Sequence, residues 1–125
     1  MNRDVTAKIV RAPYTNDKKW YMRILLDDID SKELLAFEER YKGSHQVKSF
    51  QHSVYNNTLV VKLPFRYNKF ECVVYDEDLH FCSCYDLKDD DMVIVTLSHA
   101  GFSIQANDNI LSSWKTKEIR KLAQN

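Results

Sequence analysis

Apolar positions recur every second residue over most of this chain, which is the signature of strands with one buried face. Val5, Ala7 and Ile9 alternate with Thr6, Lys8 and Val10, predicting a first strand that stops before Ala12-Pro13. After the turn-rich Asn16-Asp17-Lys18-Lys19, the residues Trp20, Met22, Ile24 and Leu26 alternate with Tyr21, Arg23 and Leu25 in a second strand, expected to lie beside the first. The period then changes. Asp30-Ser31-Lys32-Glu33 has capping-box spacing, and Leu34, Phe37 and Tyr41 fall on one face at i, i+3 and i+7, predicting a helix over 31–42 with Gly43 past its end.

Strand signals resume afterwards. Val47 to Tyr55 reads as a strand that Asn56-Asn57 turns into Thr58–Leu63. Further strands are expected at Phe70–Tyr75, Leu79–Tyr85, Met92–Leu97, Phe102–Gln105 and Ile110–Lys115, with acidic turns at Asp76-Glu77-Asp78 and Asp86–Asp91, a turn at Asn107-Asp108-Asn109, and a short basic helix over Lys117–Ala123. Many short strands around one helix predict a mainly β chain, forming a small antiparallel barrel or coiled sheet. Closure would also remove exposed strand edges. The 125 residues are expected to form a single domain, 1–125.

Composition narrows the function classes. A hydrophobic fraction of 44% with 29% charged residues belongs to an ordinary globular chain. No apolar run approaches the roughly 20 residues of a membrane helix, and the N-terminus carries charges where a signal peptide would be apolar, so an intracellular setting without membrane partners is expected. Three cysteines in that setting read as reduced thiols. With only Gly43 and Gly101, no phosphate-cradling loop or dinucleotide fingerprint can be written, and His45, His52, His80 and His99 are scattered without a hydrolase or metalloprotease motif. A non-enzymatic protein without cofactor is the expectation. His80, Cys82 and Cys84 would share a face of one strand, but their spacing is not that of zinc knuckles, and buried free cysteine is common core material.

Net charge is zero, yet the charges are segregated. Between Glu71 and Asp91 the carboxylates Glu71, Asp76, Glu77, Asp78, Asp86, Asp89, Asp90 and Asp91 face only Lys88, whereas Lys115, Lys117, Arg120 and Lys121 near the C-terminus face only Glu118. The stretch LVVKLPFRYNKF, residues 59–70, holds Lys62, Arg66 and Lys69 among aromatics and no acid. Cations interleaved with rings suit single-stranded nucleic acid, whose phosphates attract charge and whose unstacked bases lie on aromatic faces. One basic groove and one acidic back are expected.

The succession LVVKLPFRYNKFECVVYDED, then DMVIVTLSHAGFSI, then SSWKTKEI resembles the OB-fold single-stranded DNA-binding proteins, particularly the small ones of DNA viruses and phages. That resemblance covers roughly residues 59–120 and implies an OB-like barrel ending on a strand with an aromatic and basic residues at the groove, matched here by Trp114, Lys115 and Lys117. The groove expected from charge and resemblance together comprises Lys62, Arg66, Tyr67, Lys69, Trp114, Lys115 and Lys117, with Lys18, Lys19, Trp20 and Arg23 at one end. The partner is single-stranded DNA or RNA, with a second copy of the chain or replication proteins as further partners. The competing function is a protein-interaction or assembly subunit that uses the same rings as a contact surface.

Overall fold

The period-two alternation turns its apolar members toward one interior. In the computed structural model, which describes residues 2–44, 49–104 and 109–123, the elements are β1 (Asn2–Asn16), β2 (Lys19–Leu25), α1 (Asp28–Ser44), β3 (Val54–Tyr55), β4 (Thr58–Lys62), β5 (Phe65–Arg66), β6 (Lys69–Phe70), β7 (Val73–Tyr75), β8 (Phe81–Cys82), β9 (Met92–Ile104) and β10 (Ile110–Lys121). Eight strands form one sheet in the order β3-β4-β2-β1-β9-β10-β7-β8, while β5 and β6 pair by themselves. An additional pairing of β4 with β10 closes β1, β2, β4, β10 and β9 into a five-stranded barrel.

That closing pair is parallel, with Trp114 opposite Val61 and Lys115 opposite Lys62. The other four junctions of the ring are antiparallel, as expected, and the parallel pair has a topological reason: strand directions cannot alternate all the way round a ring of five. The seam is reinforced where the Thr116 hydroxyl donates to the Lys62 carbonyl at 3.3 Å. β10 also runs parallel to β7, with Ile119 opposite Val74.

Alternation puts Val5, Ala7 and Ile9 of β1, Met22 and Ile24 of β2, Leu59 and Val61 of β4, and Val93, Val95 and Leu97 of β9 inside the barrel, all buried. Trp114 and Ile119 complete this core from β10, each with no exposed surface. One inward face of α1 supplies Leu34 to the same core, and Phe37 packs against it. Phe37 and His99 flank the Trp114 ring at 5.4 and 4.8 Å between centroids, and the Trp114 indole N–H donates to Ser53 Oγ at 3.0 Å. Burying the indole with its polar atom satisfied is what lets so large a ring sit in a small barrel.

Several element boundaries differ from the sequence expectations. α1 starts at Asp28, because Asp27 rather than Asp30 receives the first-turn N–H, from Asp30 at 2.7 Å; Asp30 and Glu33 are engaged by Arg3 instead. β1 continues past Ala12-Pro13 because register shifts between Ile9 and Arg11 and between Arg11 and Tyr14 accommodate the proline at bulges. Met92–Ile104 is one strand, bent at Gly101 with φ +85°, rather than two. Phe70–Tyr75 is divided between β6 and β7, since Phe70 pairs with Phe65 in the small hairpin while Val74 joins the main sheet. Leu79–Tyr85 is extended only at β8, after which Ser83 caps a short 3-10 turn over Cys84–Asp86. The basic helix expected over 117–123 is strand through Lys121: Ile119 points inward between exposed Glu118 and Arg120, and both edges are paired, by β9 and β7. The strand expected from Val47 is described only at β3, and the first two residues of the Asn107–Asn109 turn, like His45, lie outside the described residues.

Trp114→Ala is expected to lower unfolding stability by about 3–5 kcal/mol, and Ser53→Ala by about 1 kcal/mol through the orphaned indole N–H. Urea denaturation followed by far-ultraviolet circular dichroism checks both. A Trp114 variant as stable as the parent would contradict its place in the core.

Candidate nucleic-acid interface

Because inward and outward residues alternate, the core residues of the barrel wall dictate which side chains lie outside it. With Met22 and Ile24 inside, Tyr21 and Arg23 are outside on β2; with Val61 inside, Val60 and Lys62 are outside on β4; and with Trp114 inside, Lys115 is outside on β10. Strand register then sets them in a line. Tyr14 lies opposite Tyr21, Tyr21 opposite Lys62, and Lys62 opposite Lys115, giving one row of two rings and two ammonium groups across four adjacent strands. At about 4.8 Å per strand the row is about 14 Å long. The two tyrosine rings are 6.0 Å apart, and the Arg11 guanidinium lies 3.7 Å over the Tyr14 ring. A second row beside it carries Arg11, Arg23 and Val60.

The charge on this face is uncompensated. Among the described residues no ion pair involves Lys18, Lys19, Arg23, Lys62 or Lys115. The acidic segment is tied up elsewhere: Asp90 approaches Lys8 at 3.3 Å, Glu77 and Asp91 hold Lys121 at 3.7 and 3.8 Å, and the Asp89 carboxylate accepts from the Ala12 N–H. Unpaired cations on a low-dielectric wall create a positive field that attracts polyanions.

Beside the first row, further along β1 and β2, the turn between these strands and the β5–β6 hairpin share a cavity wall. Asp17 and Lys18 turn with φ of 52° and 66°, and Tyr67 and Asn68 with 54° and 63°, the paired positive values of two-residue hairpins. The β5–β6 hairpin is fastened to the barrel by rings, since Trp20 sits against Phe65, Phe70 and Tyr85 at 6.0, 5.0 and 5.7 Å. Backbone continues the attachment, the Leu63 N–H donating to the Trp20 carbonyl at 3.0 Å. Between hairpin base and barrel lies a cavity of about 290 Å³ with Trp20, Leu63, Pro64 and Phe65 as its apolar wall and lysines at its rim.

The sequence-predicted residues therefore separate into groups. Lys18, Lys19, Lys62 and Lys115 converge on the cavity, with Arg23 further along the same face. Trp20 is half-buried and anchors the hairpin. Tyr67 projects from the hairpin tip with 87% of its surface exposed, beside Lys69 and beside Arg66, which is held 3.6 Å from Glu71. Lys117 is exposed two residues beyond Lys115. Trp114 does not belong to the groove: the ring expected at its surface lies wholly in the core, because the strand parity that turns Lys115 outward turns Trp114 inward. Tyr14, Tyr21 and Arg11 were missed. Parity on β2 already grouped Tyr21 with Arg23, whereas Tyr14 lay beyond Pro13 in a segment read as loop.

The thiols lie apart from this face. Cys72 and Cys84 are buried, and their thiols interact so that the Cys72 pKa is lowered and, with burial, that of Cys84 raised; half-buried Cys82 is raised by desolvation. All three are free. His80, Cys82 and Cys84 do not share one strand face, since the chain leaves β8 for the 3-10 turn before Cys84. Among the described residues no group of three His, Cys, Asp or Glu side chains is arranged to hold a metal ion.

Comparison with known proteins places the fold. No protein-family model matches the chain, and no curated protein matches its sequence. Two solved structures share its architecture over nearly the whole length. The single-stranded DNA-binding protein from bacteriophage Enc34, solved in complex with single-stranded DNA, aligns with a TM-score of 0.69 at 6% identity, over 99% of this chain and 87% of that one. The protein gp2.5, a single-stranded DNA-binding protein encoded by bacteriophage T7, aligns with a TM-score of 0.61 at 10% identity, over 99% of this chain and 93% of that one. The chain thus has the fold of these phage proteins, a closed five-stranded OB barrel.

Native-state alkylation is expected to modify Cys82 before Cys72 and Cys84, with three labels per chain after denaturation without reductant. Mass spectrometry of a time course reads the order, and early labelling of Cys84 would contradict its burial beside Cys72.

Proposed function

We propose that this protein binds single-stranded DNA, without catalysing a reaction, across the outer face of β1, β2, β4 and β10. The observation that carries the reading is the row Tyr14, Tyr21, Lys62, Lys115, in which rings and unpaired cations share one cross-strand line. OB barrels bind oligonucleotides over the face of their second and third strands and the adjoining loops, and β2 and β4 occupy those positions here. The two phage proteins of the same fold, both single-stranded DNA-binding proteins by name, support the same reading. Affinity comes from phosphates neutralised by Lys19, Arg23, Lys62 and Lys115 and from bases stacked on Tyr21 and Tyr14, with Arg66, Tyr67, Lys69 and Lys117 extending the contact beyond the barrel. An intracellular role in DNA replication, with replication proteins or further copies of the chain as partners, follows from this reading. Among the described residues no helix is long and apolar enough to cross a membrane.

Fluorescence anisotropy of a labelled single strand against the matching duplex tests the proposal. Neutralising about three to five phosphates gives a log–log salt slope of about −2 to −3.5 for the single strand, and Lys62→Ala or Lys115→Ala should each flatten it by about 0.7. Tyr21→Ala should lose about 1–3 kcal/mol of binding with an unfolding stability within about 0.5 kcal/mol of the parent. Absence of single-strand binding at about 20 mM salt, where phosphate contacts are strongest, would overturn the reading. It would leave a protein-interaction role in which the same rings, with Tyr67 the most exposed of them, form the contact surface.

A further inference from the structure

The barrel face accounts for stacking and phosphate contact, but not for the cavity beside it, which Tyr21, Lys62 and Lys115 of the row also line. A flat stacking surface needs no recess, and the Trp20 ring cluster would hold the β5–β6 hairpin without one. Two features of the recess are independent of each other. Its wall is apolar, formed by Leu63, Pro64, Phe65 and Trp20, and its rim is cationic, formed by lysines from three separate elements: Lys18 and Lys19 at the β1–β2 turn, Lys62 on β4 and Lys115 on β10. Among the described residues these converging lysines make no ion pair, and a bound anion would relieve their mutual repulsion.

Size selects the class of ligand. A volume of about 290 Å³ lies at the lower end of the range of small-molecule pockets and is too small for a stacked pair of nucleotides. An apolar slot ringed by ammonium groups matches the two chemistries of a single nucleotide, a flat base and an anionic phosphate. A neutral hydrocarbon chain would use the slot and leave the lysines unanswered; an inorganic anion would use the lysines and leave the slot.

We infer that this recess takes one unstacked nucleotide of the bound strand, base inward against Phe65 and Trp20, with its flanking phosphates held by the lysines at the rim. The inference rests on single-strand binding as proposed above and adds to it a discrete subsite between the row and the β5–β6 hairpin. A strand crossing the face from Tyr14 toward Lys115 would there turn a base out of its stack into the wall. Unstacking costs little in a single strand, so such a base can be captured without melting a duplex.

The test uses free thymidine 5′-monophosphate, thymidine and inorganic phosphate as separate probes of the intact chain, followed by two-dimensional proton–nitrogen spectra. The two indole N–H resonances, from Trp20 at the recess and Trp114 in the core, report position. The monophosphate is expected to shift the Trp20 resonance in a saturable way and leave that of Trp114 in place, with thymidine weaker and phosphate leaving the Trp20 indole unmoved. Phe65→Ala, at a partly exposed position, should weaken monophosphate binding about fivefold or more, while Phe65→Leu, which keeps an apolar contact for the hairpin but not the stacking face, should weaken it as well. Equal shifts from inorganic phosphate would reduce the recess to a cationic patch and overturn the base subsite. So would retention of full monophosphate affinity in Phe65→Ala. Single-stranded DNA binding with no Trp20 response to any probe would overturn the subsite while leaving the proposed function standing, whereas failure of the polymer itself to bind would remove that function first.

Discussion

Closure of the barrel through the parallel pairing of β4 with β10 is the constraint on which the rest depends. β4 and β10 are about fifty residues apart in sequence, so their meeting is a non-local event whose loop-closure entropy must be met by what it buries. What it buries is Trp114 and Val61, each without exposed surface. Full burial of side chains this large is worth about 1.5–3 kcal/mol apiece. The same pairing brings Lys62 and Lys115 together on the outside. Two ammonium groups set side by side are repulsive in isolation, so the apolar seam beneath them is what holds the cationic line in place.

Inside and outside are therefore not separable designs. Each strand of the barrel wall serves the core with one parity and the face with the other, and a one-residue slip in β10 would exchange Trp114 with Lys115. Such a slip would put an ammonium group in the core and a tryptophan in water, which specifies the register strongly. The bulges in β1 act in the same system, since they allow the strand to pass Pro13 and still set Tyr14 opposite Tyr21.

The β5–β6 hairpin is held differently. It belongs to a separate two-stranded sheet, and the contacts that fasten it are the rings around Trp20 together with the backbone bond from Leu63. A two-stranded hairpin is marginal in water by itself, so its orientation relative to the barrel is inherited from that ring cluster. Tyr67 at its tip occupies a left-handed conformation that is rare for an aromatic residue and contributes nothing to the core. The ring is presented to solvent at a backbone cost, a combination met more often where a surface is used than where it is only covered.

Much of this was legible along the chain. Period-two alternation marked the strands of Val5–Ile9, Met22–Ile24 and Leu59–Leu63 and which of their residues share a face, because each buries one face only and the parity is written locally. The helix was legible from the spacing of Leu34, Phe37 and Tyr41, and the segregation of cations from the 71–91 carboxylates from the order of charges along the chain. What local pattern could not decide was everything set by partners distant in sequence. Whether Lys117–Lys121 is helix or strand depends on the edges of β7 and β9 that it meets; whether Trp114 stacks on a base or fills the core depends on which side of β10 faces the barrel axis; and whether Tyr14 belongs to a loop or to the tyrosine row depends on β2 beside it. A strand's alternation tells which residues share a face, but only the closed sheet says which face is inside.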